Sequence, residues 1–413
     1  MTVPQRSNAS HSLPEDEEIE GLSETRVTEA VSKYRVTEAT SKNGLHISAS
    51  NSTRGYTMAD DERNRERLLR LAASLASTPA DERVMTDIAT YGIEQAVDRW
   101  REGLGPTSVC DRIQVALQKA DKLLLTMPDT WRYVIPGDDE WPSQCEDLDL
   151  SAPIGLWCRG SLSLDTVGDR MVSIVGARAA TAYGERVAIE LASACAQHNI
   201  AVVSGAAYGI DAAAHRGALA ASGPTVAVLA CGIDVSYPAA HAGLLERVAE
   251  SGLLMSESPP GTKPHKHLFL IRNRLIAALS SHTVVVEAAL RSGSLSTSNW
   301  ASDLGRTVWG IPGQISSAAS AGVHEAIRRG VMNIAPSIDS IVAQYGGAPN
   351  ELSENERLVI ELCRGRELTL EHLIAGLDTR MSSHEVVGVV TLLELRGYLI
   401  RCDHGWTAKP TGT

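Results

Sequence analysis

The sequence predicts an α/β fold built on a Rossmann-like, doubly wound and mostly parallel sheet. Two short apolar runs, Met171–Val175 and Ile200–Val203, enclose a stretch with apolar residues at helical spacing, Tyr183–Gln197. A strand, a helix and a strand of these lengths form a βαβ unit, which requires a parallel sheet. Strand-like and helix-like segments then alternate as far as residue 345. Several of the strand-like runs end in glycine-bearing turns, and ligands of such sheets bind at the carboxyl ends of the strands.

The alternation predicts six strands and six helices within a Rossmann-like domain at residues 127–345. The strands are expected at 171–175, 200–204, 225–230, 253–256, 283–287 and 307–311. The helices are expected at 183–197, 211–221, 239–250, 272–280, 294–304 and 322–329. The segment before the first strand contains prolines and tryptophans and suits a lead-in strand and loops.

The flanking regions differ in composition from this domain. Residues 1–57 are polar, carry a short internal repeat and are expected to be a disordered extension, with Met58 a candidate translation start. Residues 58–126 show helical apolar stripes, which predict a small helical domain of the SAM or helix-hairpin-helix kind. Residues 346–353 read as a linker. Residues 354–413 predict a winged helix with these elements: helices Asn355–Cys363, Leu368–Leu377 and Ser382–Arg396, then a hairpin at 398–407.

Composition excludes several function classes. The formal net charge of −12 argues against a protein that coats nucleic acid indiscriminately, although residues 172–335 hold twelve Lys and Arg against ten Asp and Glu. No apolar run has the length of a membrane span, and the N-terminus does not have the pattern of a secretion signal. The seven cysteines form no C-x-x-C pair. They indicate reduced thiols in a cytoplasmic protein, with no metal site and no cofactor expected.

Two glycine turns are the first candidate binding elements. Val175-Gly176-Ala177-Arg178 ends one strand, and Ser204-Gly205-Ala206-Ala207-Tyr208-Gly209 ends the next and leads into a helix. Glycines let a backbone approach an anion closely, a helix start supplies N–H donors, and Arg178 can form two hydrogen bonds with a phosphate. The alternative is a tight turn with a surface arginine. Two adjacent turns of this kind favour an anion site.

A basic segment supplies further candidates. Lys266, Arg272 and Arg274 are expected at the start of a helix on the same edge of the sheet, where they favour phosphate binding over a merely solvated basic turn. The two arginines diverge by about 200° on a helix, so they face one ligand only if the helix begins between them. A site made of amides and arginines with few aromatic residues grips phosphates and not base faces. We therefore expect slight sequence preference.

Catalytic interpretations of the same residues are weaker. Ser204, Asp211 and His215 could mimic a nucleophile, an orienting acid and a base, but no G-x-S-x-G elbow surrounds the serine. Asp211 is instead expected to cap a helix, and His215 to pack or contact ligand. Glu287 could be an acid or base, although hydrogen bonding to backbone or arginine is favoured. The histidines of His265–His267 have no companion ligands that would complete a metal site.

Taken in order, the motifs resemble those of the DNA-processing protein A family (DprA, also called Smf), which acts in bacterial natural transformation. The motifs that carry the resemblance are the two glycine turns, Ala214-His215, Gly232-Ile233-Asp234, Tyr237-Pro238, Ser256-Glu257, Arg272-Asn273-Arg274, Ser292-Gly293-Ser294 and Pro312-Gly313. The resemblance implies that single-stranded DNA binds in a positive pocket without catalysis. It also implies a homodimer formed through the Rossmann-like domain, and delivery of the strand to the recombinase RecA. The residues it places in the pocket are Gly176, Arg178, Ser204, Gly205, Gly209, His215, Lys266, Arg272 and Arg274.

Two other functions stay open at this point. A nucleotide N-glycosidase similar to the lysine-decarboxylase-like (LOG) group has the same type of sheet, but Pro312-Gly313-Gln314 does not match the Pro-Gly-Gly-x-Gly-Thr turn of that group. A pure interaction protein would have a vestigial pocket and a working winged helix. The third helix of the winged helix, 382–396, carries almost no basic side chains, so we expect it to contact protein or to bind DNA weakly.

Overall fold

The structure of the protein is a computed structural model that describes residues 58–345, 354–377, 380–395, 398–402 and 404–408. The expected disorder of residues 1–57 and the expected linker at 346–353 lie outside the described residues.

The mostly parallel sheet predicted from the sequence forms the centre of the described chain, and it has nine strands where six and a lead-in strand were expected. Its spatial order is β1-β2-β6-β5-β4-β3-β7-β8-β9. The pairs β1–β2 and β2–β6 are antiparallel, and the other pairs are parallel. The strands are β1 Trp131–Val134, β2 Leu156–Arg159, β3 Met171–Val175, β4 Ala201–Ser204, β5 Thr225–Leu229, β6 Leu253–Ser256, β7 His282–Val285, β8 Thr307–Gly310 and β9 Asn333–Ile334.

Helices cover both faces of this sheet and its β1–β2 end. They are α1 Met58–Ala76, α2 Glu82–Arg101, α3 Thr107–Thr126, α4 Ala182–Gln197, α5 Ile210–Ala220, α6 Ala242–Ser251, α7 Lys266–Leu279, α8 Ser294–Asp303, α9 Ala321–Arg328 and α10 Ile338–Val342. Residues of α7, α8 and α9 contribute to the core on one face, whereas α4, α5 and α10 contribute to the core on the other. Strands β3, β4 and β5 are buried along their whole length, which explains their continuous apolar sequences.

The boundaries of two predicted helices were wrong. The helix expected at 272–280 begins six residues earlier, at Lys266. The helix expected at 239–250 is a short 3-10 turn, Ala239–His241, followed by α6. The lead-in segment contributes two strands, β1 and β2, that extend the sheet.

The N-terminal helices pack as a compact group whose core continues into the sheet. Trp100 of α2 is fully buried among apolar residues of α1 and α3, in one cluster with Tyr133 of β1 and Trp157 of β2. The rings of Tyr133 and Trp157 lie 5.0 Å apart. Helices α1–α3 therefore extend the body of the molecule at the β1–β2 end of the sheet.

Three helices and a two-stranded hairpin form the C-terminal region, as a winged helix requires. They are α11 Glu354–Cys363, α12 Leu370–Leu377, α13 Ser383–Leu395, β10 Leu399–Arg401 and β11 Trp406–Ala408. Leu392 of α13 packs in one cluster with Ala196 of α4 and Ala221, which follows α5. Because both alanines lie at helix C-termini, this contact is at the amino edge of the sheet. Across the described ranges, no helix combines the length and the apolar character that a membrane span needs.

Candidate nucleic-acid interface

The turns after β3 and β4 pack directly on each other at the carboxyl edge of the sheet. The Ile210 amide donates to the Ala177 carbonyl oxygen at 3.2 Å. Gly209 has φ +74°, and a Cβ built on it would lie 2.2 Å from that same oxygen. Gly176 is similarly tight, since its Cβ would lie 2.6 Å from the Ile210 side chain. Glycine is therefore required at both positions for the two predicted turns to meet.

The side chain of Arg178, at the end of the first turn, is exposed and lies over an aromatic ring. Its guanidinium carbon lies 5.1 Å from the centroid of Phe269, within the range of a cation–π contact. Phe269 belongs to the first turns of α7, three residues after the exposed Lys266. Residues three apart share a helix face, so Arg178 and Lys266 present two exposed cations on one surface.

The earlier start of α7 changes the surroundings of the basic segment. Lys266 is the first residue of the helix, and the first turn, which lies wholly within the described chain, contains no acidic side chain. A helix N-terminus carries a partial positive charge from its unpaired N–H groups. The exposed Lys266 adds positive charge at this helix end, and the exposed His267 adds a hydrogen-bond donor. This end of α7 is electrostatically suited to an anion.

Arg272, expected as a contact residue, lies beneath this surface. It is buried, and its Nη1 donates to the Val228 carbonyl oxygen. The guanidinium packs so closely on Gly205 that a Cβ there would lie 2.0 Å from Nη1. Burial lowers the pKa of Arg272 to about 10, an effect opposed by the nearby Asp211 carboxylate. Arg272 is therefore still a cation at neutral pH, but its side chain is buried beneath the second turn.

Arg274 is also buried and points to a different neighbour. Its Nη2 donates to both carboxylate oxygens of Glu257, at 2.7 and 2.9 Å, and its Nε donates to the Ser151 carbonyl oxygen at 2.7 Å. Only 1% of the residue is exposed. Arg272 and Arg274 both lie inside α7 and are two residues apart, so their side chains point about 200° apart around the helix axis. They would face one ligand only if the helix began between them. The structure does not bring Arg274 to the Arg178 surface.

Ser204 and His215 lie in the interior and do not form a catalytic pair. The Ser204 hydroxyl donates to the Ile174 carbonyl oxygen at 2.6 Å, and His215 Nδ1 lies 2.8 Å from the Thr225 hydroxyl. Burial lowers the pKa of His215 to about 3, and the Arg272 charge adds to the effect. The imidazole is therefore neutral at physiological pH. Both side chains are fully buried, and their hydrogen bonds go to other partners, so the triad interpretation fails.

Asp211 lies in the first turn of α5 and organises the turn before it. Its carboxylate accepts from the Ala207 amide at 3.3 Å, in the turn that precedes the helix. The expected helix-capping role was wrong, because the N-cap position of α5 is Gly209 and no side chain there makes a capping hydrogen bond. Burial raises the pKa of Asp211, against the pull of the Arg272 guanidinium. The N-terminus of α5 thus already has a carboxylate beside it, whereas Arg178 and Lys266 are exposed cations.

Glu287 closes the crevice between β3 and β7, where the strand order reverses. It is buried and accepts from the Thr181 amide at 2.9 Å and from the Thr181 hydroxyl at 2.6 Å. Ligands of doubly wound sheets often occupy this crevice. Here the carboxylate fixes the start of α4, as the hydrogen-bonding interpretation predicted.

Sequence reasoning missed the aromatic residues around Arg178. Tyr208 and Tyr237 are both exposed, at 48% and 41%, and each contacts a second ring. Both tyrosines lie in loops that follow strand ends, and that position is the signal that could have identified them. The contacts of Phe269 with Tyr237 and with Arg178 are long-range, so no local pattern shows them.

The sequence of this chain is similar to those of known proteins. A family model described as DNA recombination-mediator protein A matches residues 132–346. A DNA processing protein DprA of Mycobacterium tuberculosis is 41% identical over 345 residues, covering 77% of this chain and 88% of the relative. The chain belongs to the DNA recombination-mediator protein A family. This DprA family assignment confirms the resemblance inferred from the motifs.

Solved structures of DprA proteins are similar to this one. DNA processing protein A from Streptococcus pneumoniae superposes with a TM-score of 0.57 at 30% identity, covering 68% of this chain and 98% of the other. The protein from Helicobacter pylori, solved to describe its single-stranded DNA binding mode, is 28% identical with a TM-score of 0.47, over 52% of this chain and 95% of the other.

Proposed function

We propose that this DprA family member binds single-stranded DNA at the carboxyl edge of its sheet, and that Arg178 and Lys266 contact the phosphates. The observation that carries the proposal is the placement of the Arg178 guanidinium over Phe269, one helical turn from Lys266. Two exposed cations on one surface can contact successive phosphates of a flexible strand. A duplex offers the same charges on a stiffer and wider backbone.

The start of α7 strengthens this site. Cationic side chains at a helix N-terminus oppose the helix dipole and destabilise that end by a few tenths of a kcal/mol each. A bound phosphate removes this unfavourable interaction, since it accepts from the free N–H groups and pairs with Lys266. The exposed Lys263 lies just before the helix and adds to the positive charge.

The remaining predicted residues have different roles in this proposal. Gly176 and Gly209 let the two turns meet and so position Arg178. Ser204 and Gly205 belong to the second turn, and Arg272 packs against Gly205 from beneath. His215 is buried against Thr225, and Arg274 holds Glu257. The nine residues of the predicted pocket thus divide into a small exposed contact set and a larger support beneath it.

The proposed function is binding without catalysis. The Ser204 hydroxyl and the Glu287 carboxylate are both engaged in hydrogen bonds to backbone groups, which leaves no observation that favours hydrolysis of a nucleotide. The wider role proposed for the chain is to protect incoming DNA and to deliver the strand to RecA, as a cytoplasmic homodimer, in natural transformation or DNA processing. Family membership supports that role. The winged helix lies at the opposite edge of the sheet and is proposed to contact protein.

The experiment that tests the proposal is fluorescence anisotropy of a labelled oligo-dT titrated with the full chain over a series of salt concentrations. Unlabelled duplex is the competitor. The expected result is binding that weakens linearly on a logarithmic salt scale and that resists duplex competition. Equal competition by duplex, or the absence of binding at low salt, would overturn the proposal.

A further inference from the structure

Tyr208 is an exposed ring held in a fixed position by a buried one. It follows β4 in the second glycine turn, and its ring meets that of His241 edge-to-face at 4.8 Å. His241 is buried, and its Nδ1 lies 3.0 Å from the Ala206 carbonyl oxygen. The imidazole thus joins the turn to the loop that follows β5. An aromatic ring oriented in this way, with nearly half of the residue in solvent, presents a flat apolar face to ligands.

Tyr237 is a second exposed ring, and it lies on the same loop as His241. Its ring centroid is 5.5 Å from that of Phe269, at an interplanar angle of 51°. Tyr237 and His241 are four residues apart in one short segment. This segment therefore contacts Tyr208 through the His241 ring and Phe269 through the Tyr237 ring.

Both tyrosines border the Arg178 surface. Tyr208 directly precedes Gly209, and a Cβ built on Gly209 would lie 2.2 Å from the Ala177 carbonyl oxygen and 2.7 Å from that of Arg178. Tyr237 contacts Phe269, the ring that Arg178 covers. The exposed rings and the phosphate-binding cations are thus parts of one continuous surface.

We propose that Tyr208 and Tyr237 are base-stacking residues, which take the unpaired bases of the strand whose phosphates lie on Arg178 and Lys266. The inference rests on the proposed function and deepens it. Every base has a π face, so stacking on tyrosine selects no sequence. A base pair inside a duplex already has both faces covered by its neighbours. The two rings therefore add to the preference for single strands over duplex that the flexible backbone of a single strand already gives. This proposal differs from the expectation that the site grips phosphates and not base faces.

The test compares two labelled probes of equal length, an oligo-dT and an abasic strand with the same phosphates. Wild-type protein is expected to bind the oligo-dT more tightly. Tyr208→Ala and Tyr237→Ala are each expected to weaken oligo-dT binding about fivefold to 150-fold, the range measured for one base stacked on an aromatic ring, and to leave the abasic strand unaffected. Tyr208→Phe keeps the ring and is expected to bind like the wild type, whereas Tyr208→Leu keeps an apolar side chain and is expected to behave like Tyr208→Ala.

The matched control is Tyr91→Ala. Tyr91 is 38% exposed and has the Arg99 guanidinium 4.2 Å from its ring centroid, but it lies on α2, away from the strand ends. This variant is expected to bind both probes like the wild type. Wild-type protein that binds both probes equally and with strong salt dependence would overturn the stacking inference and leave the phosphate proposal standing. If neither probe binds at low salt, the proposed function itself is overturned.

Discussion

The guanidinium of Arg178 lies 5.1 Å from the ring centroid of Phe269. This contact joins the turn after β3 to the start of α7, which are separated by about ninety residues of chain. It orients an exposed arginine whose side chain would otherwise be free to rotate. Since an ordered cation loses less conformational entropy when it binds a phosphate, the contact preorganises the surface for binding.

The glycine turn predicts a specific effect of Gly209→Ala. The new Cβ would lie 2.2 Å from the Ala177 carbonyl oxygen and force the first turn to move, so oligonucleotide affinity should fall about tenfold or more, the worth of one charge-assisted contact. Gly330→Ala is the matched control, because Gly330 has the same φ of +74° with nothing within 4 Å of its Cβ position. Both variants should lose about 1–3 kcal/mol of unfolding free energy from backbone strain. A folded Gly209→Ala protein with wild-type affinity would contradict the role given to this turn.

The Arg274–Glu257 pair predicts a stability defect without a binding defect. Arg274→Met leaves the Glu257 carboxylate buried and unpaired, which should lower the free energy of unfolding by about 3–5 kcal/mol in urea denaturation. Adding Glu257→Leu removes the unpaired charge and should restore part of the loss. The exposed Arg328–Glu325 pair is the control, and Arg328→Ala should leave unfolding unchanged. At a temperature where Arg274→Met is folded, oligonucleotide affinity should equal that of the wild type. A selective loss of binding would instead return Arg274 to the contact set.

The sequence was sufficient to predict the parallel sheet and its carboxyl edge, because apolar runs such as Met171–Val175 have both the length and the composition of buried strands. It did not place the start of α7, although Leu268, Ile271 and Leu275 already show helical spacing. It also could not show that Arg272 and Arg274 are buried. Their partners, the Val228 carbonyl and the Glu257 carboxylate, are 44 and 17 residues away in the chain. Long-range contacts of this kind decide which cations of a basic motif reach solvent.

His215 predicts a dependence of stability on pH. Burial lowers its pKa to about 3 in the folded protein, whereas an exposed histidine titrates near 6.5. The unfolded chain therefore binds one more proton between these values. The stability contributed by the neutral imidazole is present above pH 6.5 and is lost as pH falls toward 3, by about 1.4 kcal/mol per pH unit. Urea denaturation from pH 7 to pH 4 measures this slope. His215→Gln should flatten it, and an unchanged slope in the variant would contradict the buried neutral state.

The central claim is that Arg178 and Lys266 contact the phosphates of a single strand. It is tested most directly by the salt dependence of oligo-dT binding in the double variant Arg178→Ala with Lys266→Ala. The control carries the same change in charge at exposed positions elsewhere, Arg186→Ala with Lys122→Ala. Each phosphate contact to a single strand contributes about 0.7 to the logarithmic salt slope. We expect the slope of the double variant to fall by about 1.4 and that of the control to stay unchanged. A double variant that is folded and retains the wild-type slope and affinity would contradict it.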